Sequence, residues 1–179
     1  MKFPIRTFLW IIYIIMAPSF AIANPVSDLS GIRKHRNAIM AGWKTYNISP
    51  TEPISLYGAR VKKFFTENAY WGEFGFGALT GRRSGYLEGG LVLGWYQELL
   101  PKVVLDACVL VGAGGGGSAP QGGGLIANPT IGLGYHLSDW MVAFLEFGYI
   151  RFLNGDIASP TVAIQFHTFF WDLTYEANK

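Results

Sequence analysis

The chain has 179 residues, of which 50% are hydrophobic, 16% aromatic and only 15% charged, with 23 glycines. Soluble domains carry charge at about a quarter of their positions, so too few charges remain to cover a water-facing surface. The formal net charge of +2 is too small to point to nucleic acid, and no basic patch interleaved with aromatics occurs. The single cysteine, Cys108, excludes an internal disulfide.

Lys2 and Arg6 precede an apolar run from Phe8 to Met16, and Ala21-Ile22-Ala23 follows. This order of charged, apolar and small residues predicts a secretory signal peptide over residues 1–23, cleaved after Ala23. Beyond it no segment supplies the roughly 18 uninterrupted apolar residues of a membrane-spanning helix. Residues 24–38 read as an N-terminal leader: Asn24-Pro25, a short helix capped by Ser27 or Asp28, then Arg33-Lys34-His35-Arg36. That basic cluster reads as a solvated segment, with contact to anionic lipid head groups as the alternative.

From Ile39 on, eight segments read as strands: 39–48, 54–65, 70–79, 85–98, 103–112, 125–137, 140–152 and 161–174. Turn chemistry bounds each of them. The separators include Ser49 to Pro53, Thr66 to Ala69, Gly81 to Ser84, Leu99 to Lys102, the glycine tract Gly112–Gly124, Ser138-Asp139, and Leu153 to Pro160. Short connections alternate with longer ones, as they do between the two sides of an outer-membrane barrel.

Side chains alternate across a strand, and that alternation separates two chemistries. Leu87, Leu91, Leu93 and Trp95 share one face, and Glu88, Gly90, Gly94 and Tyr96 share the other. Ile131, Leu133 and Tyr135 oppose Thr130, Gly132, Gly134 and His136, while Val162, Ile164, Phe166 and Phe170 oppose Gln165 and His167. On this reading Arg60, Lys62, Glu73, Glu88, Asp106, Glu146, His136 and His167 all accompany the glycines on a sparse polar face. Only Lys63 shares the apolar face, close enough to a strand end to snorkel. The pattern predicts an all-β fold, an eight-stranded antiparallel up-and-down transmembrane β-barrel over residues 39–179. A soluble, lipocalin-like barrel is the alternative, but its outer face would be too dry for a solvent surface.

An eight-stranded barrel has room inside only for side chains. The carboxylates Glu73, Glu88, Asp106 and Glu146 therefore need cationic partners, with Arg60 and Lys62 first and Lys44 and Arg151 as further candidates. His136, His167 and Gln165 are inner-face polar residues without metal-ligand spacing, so no metal and no cofactor is expected. The glycine tract lacks the Gly-Lys-Ser/Thr ending of a phosphate loop. Ser138 and Asp139 beside His136 read as turn chemistry, and no catalytic triad signature is present.

The layout resembles the small eight-stranded outer-membrane barrels of Gram-negative bacteria, among them the OmpA-type domain and the lipid A 3-O-deacylases. The stretch Gly122–Phe170 is most similar to the deacylases, with Gly132-Leu133-Gly134-Tyr135, a tight turn, an aromatic strand and Asn154-Gly155-Asp156-Ile157. Those enzymes carry a His-x-Ser pair near the outer end of the penultimate strand. Here that region reads Phe147 to Asn154 and contains neither residue. The resemblance implies fold and an outer-membrane location; the expected function is a structural or interaction role, with a lipid A-modifying enzyme as the alternative. The expected partners are outer-membrane lipid including lipopolysaccharide and the barrel insertion machinery, with no nucleic acid, and the expected state is a monomer. Such barrels commonly end in an aromatic residue, whereas this chain continues past Tyr175 to Lys179, which leaves Phe170 or Tyr175 for that role.

Overall fold

The computed structural model describes Ile32–Tyr175 apart from Gln121, with side chains placed from His35 to Leu173. The signal peptide, its cleavage point, residues 24–31 and the tail after Tyr175 lie outside the described residues. Eight strands follow one another in chain order: β1 (Ile32–Ser49), β2 (Glu52–Phe64), β3 (Ala69–Gly77), β4 (Leu87–Leu100), β5 (Val103–Gly115), β6 (Leu125–His136), β7 (Met141–Phe152) and β8 (Ala158–Tyr175). Consecutive strands pair antiparallel, and β8 returns to β1 to close a barrel. Closure matters because a barrel leaves no unpaired edge, the condition for a sheet to sit in hydrocarbon.

Both chain ends of the described segment lie at one end of the barrel, here the terminal end. The opposite, loop end carries the connections 50–51, 78–86, 116–124 and 153–157. Connections at the terminal end run to four residues at most, down to Pro101-Lys102, where Lys102 takes φ 69°, whereas three of the four at the loop end are longer. β1 takes in Ile32–Ala38, which the sequence assigns to the leader. β5 likewise runs three residues past the predicted end at Gly112, to Gly115.

The outward wall is apolar. Leu91, Leu93, Trp95, Ile131, Leu133, Tyr135, Leu145, Phe147, Ile164 and Phe166 are all exposed, an arrangement that water penalises and acyl chains do not. Inside, Tyr70, Tyr86, Tyr96, Phe144 and Phe152 fill the barrel around the buried Arg60 and Lys62. Space for them comes from inward glycines. A Cβ on Gly58 would sit 2.1 Å from the Gly75 carbonyl oxygen and 2.6 Å from Phe76 Cα, so a side chain there would have to move backbone.

Two residues depart from the expected parity. Glu73 is exposed on the outward wall: Tyr70, Gly72, Phe74 and Phe76 of β3 are buried, and residue 73 alternates with them alongside Trp71. The glycines of β3 fall on both faces, so Gly75 points to the wrong side as a guide, whereas the bulky aromatics mark the lumen. Arg151, read as a further inward cation, is likewise exposed, next in parity to the outward Tyr149. It sits at the loop end of β7, where a long side chain reaches the polar boundary. Lys63 is outward as expected and lays its ammonium over Trp71, 4.9 Å from the ring centroid.

Candidate functional site

The polar lumen brings together charges from five strands in three tiers. Nearest the loop end, Lys44 of β1 is paired with Glu88 of β4, both buried. Tyr46 donates to the second oxygen of Glu88 at 3.0 Å, and its own Oη lies 3.1 Å from that of Tyr86. The carboxylate is thereby satisfied on both oxygens.

The middle tier is Arg60 of β2 against Glu146 of β7. The guanidinium makes two parallel contacts, Nη1 to Oε1 at 3.4 Å and Nη2 to Oε2 at 3.3 Å, the fork geometry that suits Arg to a carboxylate. Cys108 Sγ lies 3.5 Å from Nη1 and 3.0 Å from Thr130 Oγ1, so the thiol is part of this packing. Toward the terminal end, Lys62 of β2 pairs with Asp106 of β5, to which Tyr70 donates at 2.6 Å. The ammonium also lies over the Tyr70 ring, 4.5 Å from its centroid. Cations and carboxylates thus match one to one across the three tiers, which is the condition under which buried charges persist.

Aromatic rings close the terminal end. Phe64, Tyr96 and Phe169 lie within 6.4 Å of one another by centroid, and the Arg36 guanidinium sits over Phe64 at 4.0 Å. His167, fully buried, stacks on Phe144 at 4.0 Å, with Nε2 3.9 Å from Glu146 Oε1. Neither ring nitrogen of His167 and neither amide atom of Gln165 has a hydrogen-bond partner among protein atoms. These are the places where buried water would complete the network.

Glu88, Asp106, Glu146, Arg60, Lys62 and Lys44 therefore stand where the polar-face reading put them, Gln165 and His167 are inward beside them, and His136 is half-buried at the terminal end of β6. Sequence reasoning puts Tyr96 on the polar face but misses Tyr46, Tyr70 and Tyr86, and it reads Arg36 as part of a solvated cluster, whereas the guanidinium lies over Phe64. The signal was available in the inward parity of Tyr46, Tyr70, Tyr86 and Tyr96, since an aromatic on the face opposite the lipid wall fills the lumen.

The fold also collects Asp106, Glu146 and His167, whose ligand atoms lie within 4.8 Å of one another. This donor set suits a metal in kind, but not in charge. Both carboxylates are already neutralised by Lys62 and Arg60, so a dication would enter beside two fixed cations without compensation. The residues present fit an ion-pair network and not a metal centre.

At the loop end Arg83 makes a two-pronged pair with Glu52, Nε to Oε1 at 3.0 Å and Nη2 to Oε2 at 2.9 Å. That hydrogen-bonded carboxylate raises the Arg83 guanidinium above its ordinary value. Arg83 also donates to the carbonyls of Gly117 and Ser118, tying the 78–86 and 116–124 loops to the start of β2. Ser159 bonds the Asn47 amide and the Pro160 carbonyl. Among the described residues no histidine lies at this end, and the hydrogen bonds of Ser159 go to backbone groups.

No protein-family model matches the chain, and no curated protein matches it. Among solved structures, a de novo designed transmembrane β-barrel is 9% identical with a TM-score of 0.50, covering 76% of this chain and 95% of that one. Ail, the attachment invasion locus protein of Yersinia pestis, solved in complex with the heparin analogue sucrose octasulfate, is 9% identical with a TM-score of 0.49, covering 77% and 100%. Neisserial surface protein A is 10% identical with a TM-score of 0.49, covering 78% and 99%. The likeness is one of fold, that of a small transmembrane barrel.

Proposed function

We propose that the chain is an exported outer-membrane barrel with a structural or surface-presenting role, sealed against passage along its axis. The observation that carries this reading is the three-tier ion-pair stack with its aromatic floor: Lys44, Arg60 and Lys62 are each held by a buried carboxylate. A conducting pore needs mobile water and unpaired charge along its wall, and this lumen spends its charges on one another. The apolar outward wall supports lipid, lipopolysaccharide in the outer leaflet included, as its surroundings, and the insertion machinery as the route there. What remains for contact with partners is the loop end, held in shape by Arg83.

The test combines three measurements on the mature chain. It should be recovered in the outer-membrane fraction and migrate faster unboiled than boiled in detergent gels. In planar bilayers it should give no steady conductance. Lipid A from cells overexpressing it should keep its acyl chains. A stable conductance step would refute the sealed lumen, and a lost acyl chain would refute the non-enzymatic role.

A further inference from the structure

Pro129 stands inside β6, a strand with a neighbour on each side, where a proline takes a donor out of the ladder. Toward β5 the pairing runs straight through it, with Asn128 against Leu110 and Pro129 against Val109. Toward β7 the ladder stops at Ala127 opposite Arg151 and resumes at Thr130 opposite Gly148. The two missing rows are those that would set Asn128 against Ile150 and Pro129 against Tyr149. Pro129 has no N–H to give, so the Tyr149 carbonyl loses its ladder donor. Among the described residues the other ladders run unbroken or shift only at a strand end.

The gap lies close to the loop end. Only the rows Ala127–Arg151 and Ile126–Phe152, with one bond from the Leu153 amide to the Leu125 carbonyl at 2.8 Å, close the seam beyond it. Behind the gap the lumen is polar and incompletely bonded. Asn128 is 1% exposed, and its Nδ2 has no hydrogen-bond partner, while Thr161 of β8 donates to its Oδ1 over a long 3.5 Å. Gln165, farther along the inner face of β8, is fully buried with neither amide atom bonded. Buried amides left in this state are completed by water.

We propose that the loop-end tip of the β6–β7 seam opens reversibly down to Pro129, and that this flap is the port through which water reaches Asn128 and the β8 side of the lumen. The inference rests on the membrane-spanning reading above. An unmet carbonyl in a membrane wall is a weak point, and local opening starts where the fewest bonds must break. Opening here breaks two rows and meets no ladder bond at the third and fourth. The groups exposed are the Asn128 amide and the Thr130 and Thr161 hydroxyls, which suit water and not an acyl chain. The aromatic floor of Phe64, Tyr96 and Phe169 still closes the terminal end, so hydration from the flap leaves the axis sealed.

The test begins with amide hydrogen exchange on the full mature chain in lipid vesicles. Ala127 and Arg151 should exchange roughly 3- to 10-fold faster than Val111 and Leu91, which face each other in the unbroken β4–β5 ladder. Pro129→Val restores the missing donor and should slow Ala127 and Arg151 by roughly 3- to 10-fold, the worth of one hydrogen bond, leaving Val111 and Leu91 unchanged. In a Cys108→Ala background, Asn128→Cys should react with a small charged thiol reagent, and Pro129→Val should slow that reaction by a like factor. Val92→Cys is the control: Val92 is 2% exposed and shares the register row Val92–Leu110–Asn128, but stands between unbroken ladders, and should stay unreacted. Equal exchange at the two seams in wild type, equal reaction at Val92→Cys, or no response to Pro129→Val would each overturn the proposal. A chain that stays in solution without detergent would instead overturn the membrane reading beneath it.

Discussion

Replacing Glu146 by Leu removes one half of a pair in which Arg60 is 1% and Glu146 3% exposed by side chain. At 3.3 Å and an effective dielectric of about 20, the Coulomb attraction lost is roughly 5 kcal/mol, and measured single-partner deletions of buried pairs cost about 3–5 kcal/mol. Arg60 has no other carboxylate within salt-bridge range among the described residues, so its charge is left stranded in the middle of the barrel. Glu146→Leu alone should therefore destabilise by about 3–5 kcal/mol, and Arg60→Met alone by a similar amount. The double variant, which swaps the pair for apolar groups of like volume, should recover most of the loss. The assay is reversible urea unfolding in lipid vesicles followed by tryptophan fluorescence, with the interaction taken from the double-mutant cycle. If Glu146→Leu costs less than about 1 kcal/mol, the value typical of a solvated pair, then water fills the lumen and the sealed-barrel reasoning fails.

Further outcomes follow from the same geometry. Gly58→Ala should abolish or sharply reduce refolding yield, because its Cβ would overlap the Gly75 carbonyl at 2.1 Å, whereas Gly75→Ala, facing open space, should refold with stability within about 0.5 kcal/mol of wild type. Tyr70→Phe removes a 2.6 Å bond to Asp106 and should cost about 1.5–3 kcal/mol, the worth of a hydrogen bond to a charged group, in the same unfolding assay. Glu52→Ala should release Arg83 and expose the 78–86 loop to limited proteolysis while leaving the urea midpoint close to that of wild type, as solvent-facing ion pairs do. In each case a result outside the stated range counts against the contact that it probes.

How far the fold was legible depends on what each segment offered as a marker. Where large apolar residues alternate with polar ones, as in Leu91–Trp95 or Ile131–Tyr135, parity settled strand, face and closure together. Where glycine stood in for a side chain it settled nothing: Gly112–Gly115 look like a loop by composition, yet Leu87–Gly90 of β4 pair with them in register. The same silence misplaced Glu73. Partner choice was beyond parity altogether, since Lys44–Glu88 and Arg60–Glu146 join residues 44 and 86 positions apart. Which cation meets which carboxylate is fixed by stagger between strands, a property of all eight registers at once. His167 illustrates the limit: its inward parity was readable, but its neighbours Asp106 and Glu146 come from β5 and β7.

The distribution of charge argues where this protein can act. Inside, Lys44, Arg60 and Lys62 cancel against Glu88, Glu146 and Asp106 tier by tier, so these six charges are spent on one another. At the loop end Arg83 is spent on Glu52 and two carbonyls, which fixes loop shape rather than leaving a free guanidinium. The outer wall is different, because Glu73 breaks a surface on which a charge is costly.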